Sequence, residues 1–91
     1  FSWVAYKGTT TTSILDSHNV SSASGSSGIY YFEYVTDPST ANLCVVGGAQ
    51  AGTYTAVKSY PTDATRYNVD TSVGGSWTAG AHISCIVFEG A

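Results

Sequence analysis

Between Ile29 and Val35 the side chains alternate so regularly that an extended backbone is the only conformation that sorts them. Successive side chains of a strand point to opposite faces. Tyr30, Phe32 and Tyr34 therefore share one side, and Ile29, Tyr31, Glu33 and Val35 share the other. The single charge, Glu33, assigns the aromatic trio to the core. The same period of two sets Phe1, Trp3 and Ala5 against Ser2, Val4 and Tyr6 at the start of the chain. No 11-residue window carries apolar residues at helical spacing. Strong helix formers are also scarce, with two Leu, two Glu, two Lys and no Met, so the chain reads as all-β.

Further strands are expected at about 10–20, 43–49, 54–60, 67–73 and 82–89. Turn chemistry separates them, at Lys7-Gly8, Asp37-Pro38-Ser39-Thr40, around Gly52, at Pro61-Thr62-Asp63 and at Gly74-Gly75-Ser76. Ser21 to Gly28 contains only Ser, Ala and Gly and is read as a loop or wide turn. About seven strands at regular spacing predict a single domain over residues 1–91, an antiparallel β-sandwich.

A domain of 91 residues buries a modest fraction of its surface, so help from other copies would matter. Only 10% of the residues are charged, against a usual share of about 25%. Such a surface suits a chain that hides part of its outside against its own copies. The net charge of −3, with Lys7, Lys58 and Arg66 as the cations, argues against a nucleic-acid partner. The longest apolar runs, Leu43 to Val46 and Cys85 to Phe88, are too short for a membrane-spanning helix, so no membrane insertion is expected. The chain opens at Phe1 without a leader and reads as a processed chain or a piece of a longer one. Cys44 and Cys85 lack metal-ligand spacing and are read as two buried free thiols or, alternatively, as a disulfide.

Chemistry that needs a catalytic constellation finds little support in the residues. Asp70 and His82 are the pair that would meet across strands for acyl transfer, but no Gly-x-Ser-x-Gly elbow is present. The six acids, Asp16, Glu33, Asp37, Asp63, Asp70 and Glu89, are scattered and read as solvated turn and surface charges rather than as a glycosidase pair. No clustered oxygen ligands suggest Ca²⁺, and no cofactor is expected. Asn19 is read as a strand-end residue capping its own turn, and His18 and His82 as strand-end or surface residues. Binding is the better use of the composition. Aromatic rings stack on the C–H faces of sugars, while Tyr and Trp keep a polar tip for hydroxyls. Tyr54, Tyr60 and Trp77, each beside a turn, are the candidate contacts, presented at loop tips. Trp3 and Tyr6 are assigned to structure.

Several phrases resemble the C-terminal receptor-binding domains of bacteriophage tail fibres. Trp3-Val4-Ala5-Tyr6-Lys7-Gly8-Thr9 is similar to that family's opening Trp-Val-Asn-Phe-x-Gly-Thr, and Asp16-Ser17-His18-Asn19-Val20-Ser21-Ser22 to its Ser-Phe/Tyr-Asn-Val-Ser-Ser. Gly28 to Tyr34, Leu43-Cys44-Val45-Val46-Gly47 and the closing Ile83-Ser84-Cys85-Ile86-Val87-Phe88 resemble its strand phrases in the same order. The stretch from Gln50 to Asp63 matches poorly. The resemblance implies a β-rich, homotrimeric and non-enzymatic tip at the distal end of a virion's tail fibre. Its partners would be its own copies and a host cell-surface polysaccharide or outer-membrane receptor. The alternative implied role is a trimerising or capping domain whose receptor contacts lie elsewhere.

Overall fold

The computed structural model describes residues 1–8, 13–50, 55–73, 76–78 and 82–90. Nine strands are present among them: β1 (Ser2–Lys7), β2 (Ser13–His18), β3 (Ser22–Ser26), β4 (Ile29–Glu33), β5 (Leu43–Gln50), β6 (Thr55–Asp63), β7 (Arg66–Val73), β8 (Ser76–Trp77) and β9 (His82–Glu89). They form two antiparallel sheets. Sheet I has the order β2-β1-β9-β5, and sheet II has the order β3-β4-β7-β6, with β8 paired to β7.

The sheets pack face to face around the residues that alternation assigns inward. Tyr30, Phe32 and Tyr34 are buried, as are Val4, Tyr6, Tyr67, Val69, Ile83, Cys85 and Val87. Tyr6 of sheet I meets Tyr30 and Phe32 of sheet II at centroid distances of 5.6 and 5.2 Å. Phe32 and Tyr34 in turn contact Tyr67 at 5.5 and 5.3 Å. The Tyr6 contacts join the layers, and all four tilted or edge-on contacts add to the burial of large rings. Polar tips inside the core find backbone partners where they can. The Tyr30 hydroxyl donates to the Gly8 carbonyl at 3.0 Å, and Ser2 Oγ donates to the carbonyls of His18 (3.0 Å) and Asn19 (3.2 Å). The Tyr34 hydroxyl is buried with no partner. Burial pushes Tyr34 up to about 12 and the Cys85 thiol up to about 12, and raises Tyr67 further.

Five expectations are corrected. Ser22–Ser26, expected as loop, is the edge strand β3, paired with β4 from Ser22↔Glu33 to Ser26↔Ile29. Its composition supplies only Ala23 to the margin of the core, but its backbone satisfies the edge of β4. The two-residue turn that joins them uses positive φ at Ser27 (55°) and Gly28 (94°), the geometry that matches the twist of a hairpin. A Cβ on Gly28 would lie 2.6 Å from the Thr71 carbonyl oxygen and the Thr78 nitrogen, so glycine is required there. Pro61, expected in a turn, lies within β6, which continues to Asp63 with an irregularity after Pro61. This edge strand tolerates proline because no ladder donor is needed on its open side.

The cysteines are free, as the first of the two readings had them, but only one is buried. Cys44 is exposed and Cys85 is buried, and both are free. Cys44 lies opposite Phe88 and Cys85 opposite Gly47, so the two thiols face opposite sides of one sheet and no disulfide joins them. Asn19 does not cap its own turn. Its side chain donates to the Thr36 carbonyl at 2.9 Å and accepts from the Thr36 amide at 2.7 Å, tying the end of β2 to the chain after β4. Asp70, expected as a solvated charge, is only 5% exposed.

Candidate functional site

The outward face of sheet II is where chemistry-bearing side chains gather. In β7 the inward residues Tyr67, Val69 and Thr71 alternate with Asn68, Asp70 and Ser72, which point out. Register then builds rows across the sheet. Tyr31 of β4, Asn68 of β7 and Tyr60 of β6 form one row. Ile29, Asp70 and Lys58 form the next, and Glu33, Arg66 and Asp63 border it on the other side. At the far end Trp77 of β8 lies opposite Ser72 and shares this face. The outermost strand, β3, adds Ser22, Ser24 and Ser26 opposite Glu33, Tyr31 and Ile29.

The centre of this face is a connected polar network. Asn68 is only 1% exposed although it points away from the core. Its Nδ2 donates to Asp70 Oδ1 at 2.9 Å, and its Oδ1 accepts from Thr62 Oγ1. The Tyr60 hydroxyl donates to Asp70 Oδ2 at 3.1 Å. Desolvation, followed by this bond to Asp70, raises the Tyr60 pKa. Two of the chain's three permanent cations hold the flanking rings. Lys58 Nζ sits 5.0 Å from the Tyr60 ring centroid, and Arg66 Cζ sits 4.9 Å from that of Tyr31. Such cation–π contacts fix the tilt of a ring whose edge stays polar. Arg66 Nε also donates to Asp63 at 3.1 Å. Bonds from the Thr65 amide and hydroxyl hold Asp63 below the usual carboxylate range.

Two of the three aromatic candidates share this face. Tyr60 is in its central row and Trp77 is at its end, 56% exposed. Both stand on strands, not at loop tips as expected. Tyr54 lies outside the described residues. Tyr31, Asn68 and Asp70 were not singled out as binding residues from sequence. The available signal was the Asn-x-Asp alternation in β7, which puts two polar side chains on one face.

Asp70 and His82 do not meet. Asp70 points out from sheet II, whereas His82 points out from sheet I, where β9 turns Ile83, Cys85 and Val87 inward. Among the described residues no group of three or more His, Cys, Asp or Glu is placed to hold a metal ion. At one end of the sandwich a hollow of about 500 Å³ opens between Pro38, Thr40 and Leu43 on one side and Pro61 and Asp63 on the other. No family model, curated protein or solved structure matches the chain.

Proposed function

We propose that the chain is a non-enzymatic adhesion module, the receptor-binding tip of a phage tail fibre, which assembles as a homotrimer and attaches to a host cell-surface glycan. The observation that carries this reading is the Tyr31–Asn68–Tyr60 row with Asp70 beside it. A saccharide offers apolar C–H faces and a rim of hydroxyls. The row offers aromatic rings about two strand spacings apart, roughly 10 Å, flanking an amide and a carboxylate that are themselves buried. Tyr60 is already held by its bond to Asp70, which Asn68 and Thr62 steady in turn, so little ordering is required on binding. A shallow face of this kind binds each sugar weakly. Three copies on one tip, and several tips on one particle, convert weak contacts into firm attachment through effective concentration.

The test is whether a fluorescent form of the chain labels bacterial cells. Labelling is expected to survive protease treatment of the cells and to disappear when surface polysaccharide is stripped. Tyr31→Ala, Tyr60→Ala and Trp77→Ala should each reduce labelling while leaving mass in solution unchanged. A second reading, a trimerising or capping domain, is favoured by the apolar outward face of sheet I. Labelling that is indifferent to all three substitutions would support that reading instead.

A further inference from the structure

The middle of the outward face of sheet I is apolar, bordered by Lys7, Asp16, His18 and His82, and it is also shaped. Trp3, Ile86 and Val46 form one row across β1, β9 and β5, exposed by 39, 48 and 54%. Two residues along each strand, about 6.7 Å away, Ala5, Ser84 and Gly48 form the next row. The first row is a ridge and the second a trough. Hollows of about 340 and 400 Å³ open over the trough, and both are lined by Ala5, Gly48 and Ser84. Leu15 and His82 wall the trough on one side, and the ridge walls it on the other. Neither triplet contains a charged residue. Asp16, opposite Ala5, closes the β2 end.

We propose that this face is a seam on which a second copy of the chain docks, with the ridge of one copy seated in the trough of the other. The proposal rests on the reading of the chain as an assembly and names the surface that makes it. A row of bulky side chains beside a parallel row of small ones is complementary to itself. Four strands about 4.8 Å apart, two of six residues and two of eight, present roughly 450 Å² per copy, or roughly 900 Å² for a pair, close to the size at which specific contacts begin. When the rows run along a three-fold axis, the ridge of each copy meets the trough of the next and the ring closes. A contiguous row of exposed apolar side chains, Trp3, Ile86 and Val46 with Phe88 beyond it, on a chain with 10% charged residues is the mark of an interaction surface.

Gly48 supplies the test. A Cβ built on it would meet only Ser84 Oγ, at 3.6 Å, so a larger side chain stands outward without disturbing the core. Sedimentation of the wild-type chain should report an assembly, whereas Gly48→Leu, which fills the trough, should report single chains at the same concentration. Ile86→Thr, which lowers the ridge, should do the same. Circular dichroism should show that both variants remain folded. Cys44, exposed on the neighbouring row, gives a second readout, because the other thiol, Cys85, is buried. Its alkylation should be at least ten-fold faster in Gly48→Leu than in the assembled wild type. An assembly that survives both substitutions, with Cys44 equally reactive, would overturn the seam and leave the homotrimer reading standing. A wild-type mass of two chains would keep the seam and overturn the homotrimer, and a single chain at every concentration would overturn both.

Discussion

The two outward faces of the sandwich invert one another. On sheet I large apolar side chains stand in the open, with Trp3, Ile86, Val46, Phe88 and Leu15 all exposed. On sheet II polar side chains are hidden, with Asn68 at 1% and Asp70 at 5% exposure on a face that points away from the core. An isolated exposed apolar residue carries little information, but a contiguous row of them, or a buried amide and carboxylate, does. The contrast teaches that burial within one copy and burial in the working state are different quantities. On the proposed reading, sheet I is finished by a second copy that covers it. Sheet II is already finished by its own network and has rings and hydroxyls left to offer.

The largest test strikes what the two faces share. Phe32 packs under both sheets, and Phe32→Ala should cost about 3–5 kcal/mol in urea unfolding and abolish assembly and labelling together. A variant that lost only one property would show that the faces do not depend on a common core.

Alkaline pH separates the core from both faces. Cys85 has an ordinary thiol value of 9.0 when unfolded and about 12 when folded, and the buried tyrosines shift the same way from 10.0. Groups whose folded pKa is raised contribute fully below the unfolded value and lose that contribution as pH rises towards the folded one. From neutral pH the urea midpoint should therefore be level up to pH 9 and fall between 9 and 12. In Cys85→Val the fall should begin nearer pH 10.

Asn68→Ala strands the Thr62 hydroxyl and one Asp70 oxygen, and should cost about 1–3 kcal/mol while weakening saccharide binding. Sedimentation should not change, because the loss is confined to sheet II. Tyr34→Phe removes a buried hydroxyl without a partner and should be neutral or stabilising by up to about 1 kcal/mol, with both faces unaffected. Smallest of all, Arg66→Ala removes a surface ion pair and the cation over Tyr31, for less than about 1 kcal/mol of stability. Its labelling should nonetheless drop, because Tyr31 loses the contact that sets its tilt.

Much of the sandwich is legible in the row of residues because alternation is local. The inward trio Tyr30, Phe32 and Tyr34, the last just past the end of β4, and the pattern of β9 follow directly from period two. β3 is not legible in this way: Ser, Ala and Gly are too small to show a contrast between faces, and its strand exists because β4 offers an unpaired edge. Pro61 reads as a break until the topology shows it on an edge strand. At the candidate site Tyr60 is suggested by chemistry alone. The burial of Asn68 and Asp70 is not, because the residues beside them, Tyr31 and Tyr60, come from other strands and only register brings them there.

The division of labour between the faces is tested most directly by amide NMR on one labelled sample. Titration with oligosaccharide from the host surface should move the Asn68 side-chain amide and backbone signals of Tyr31, Tyr60 and Asp70, leaving Ala5, Ser84 and Gly48 in place. Dilution should do the reverse. Saccharide shifts centred on Ala5, Ser84 and Gly48, or dilution shifts centred on Asn68, would contradict it.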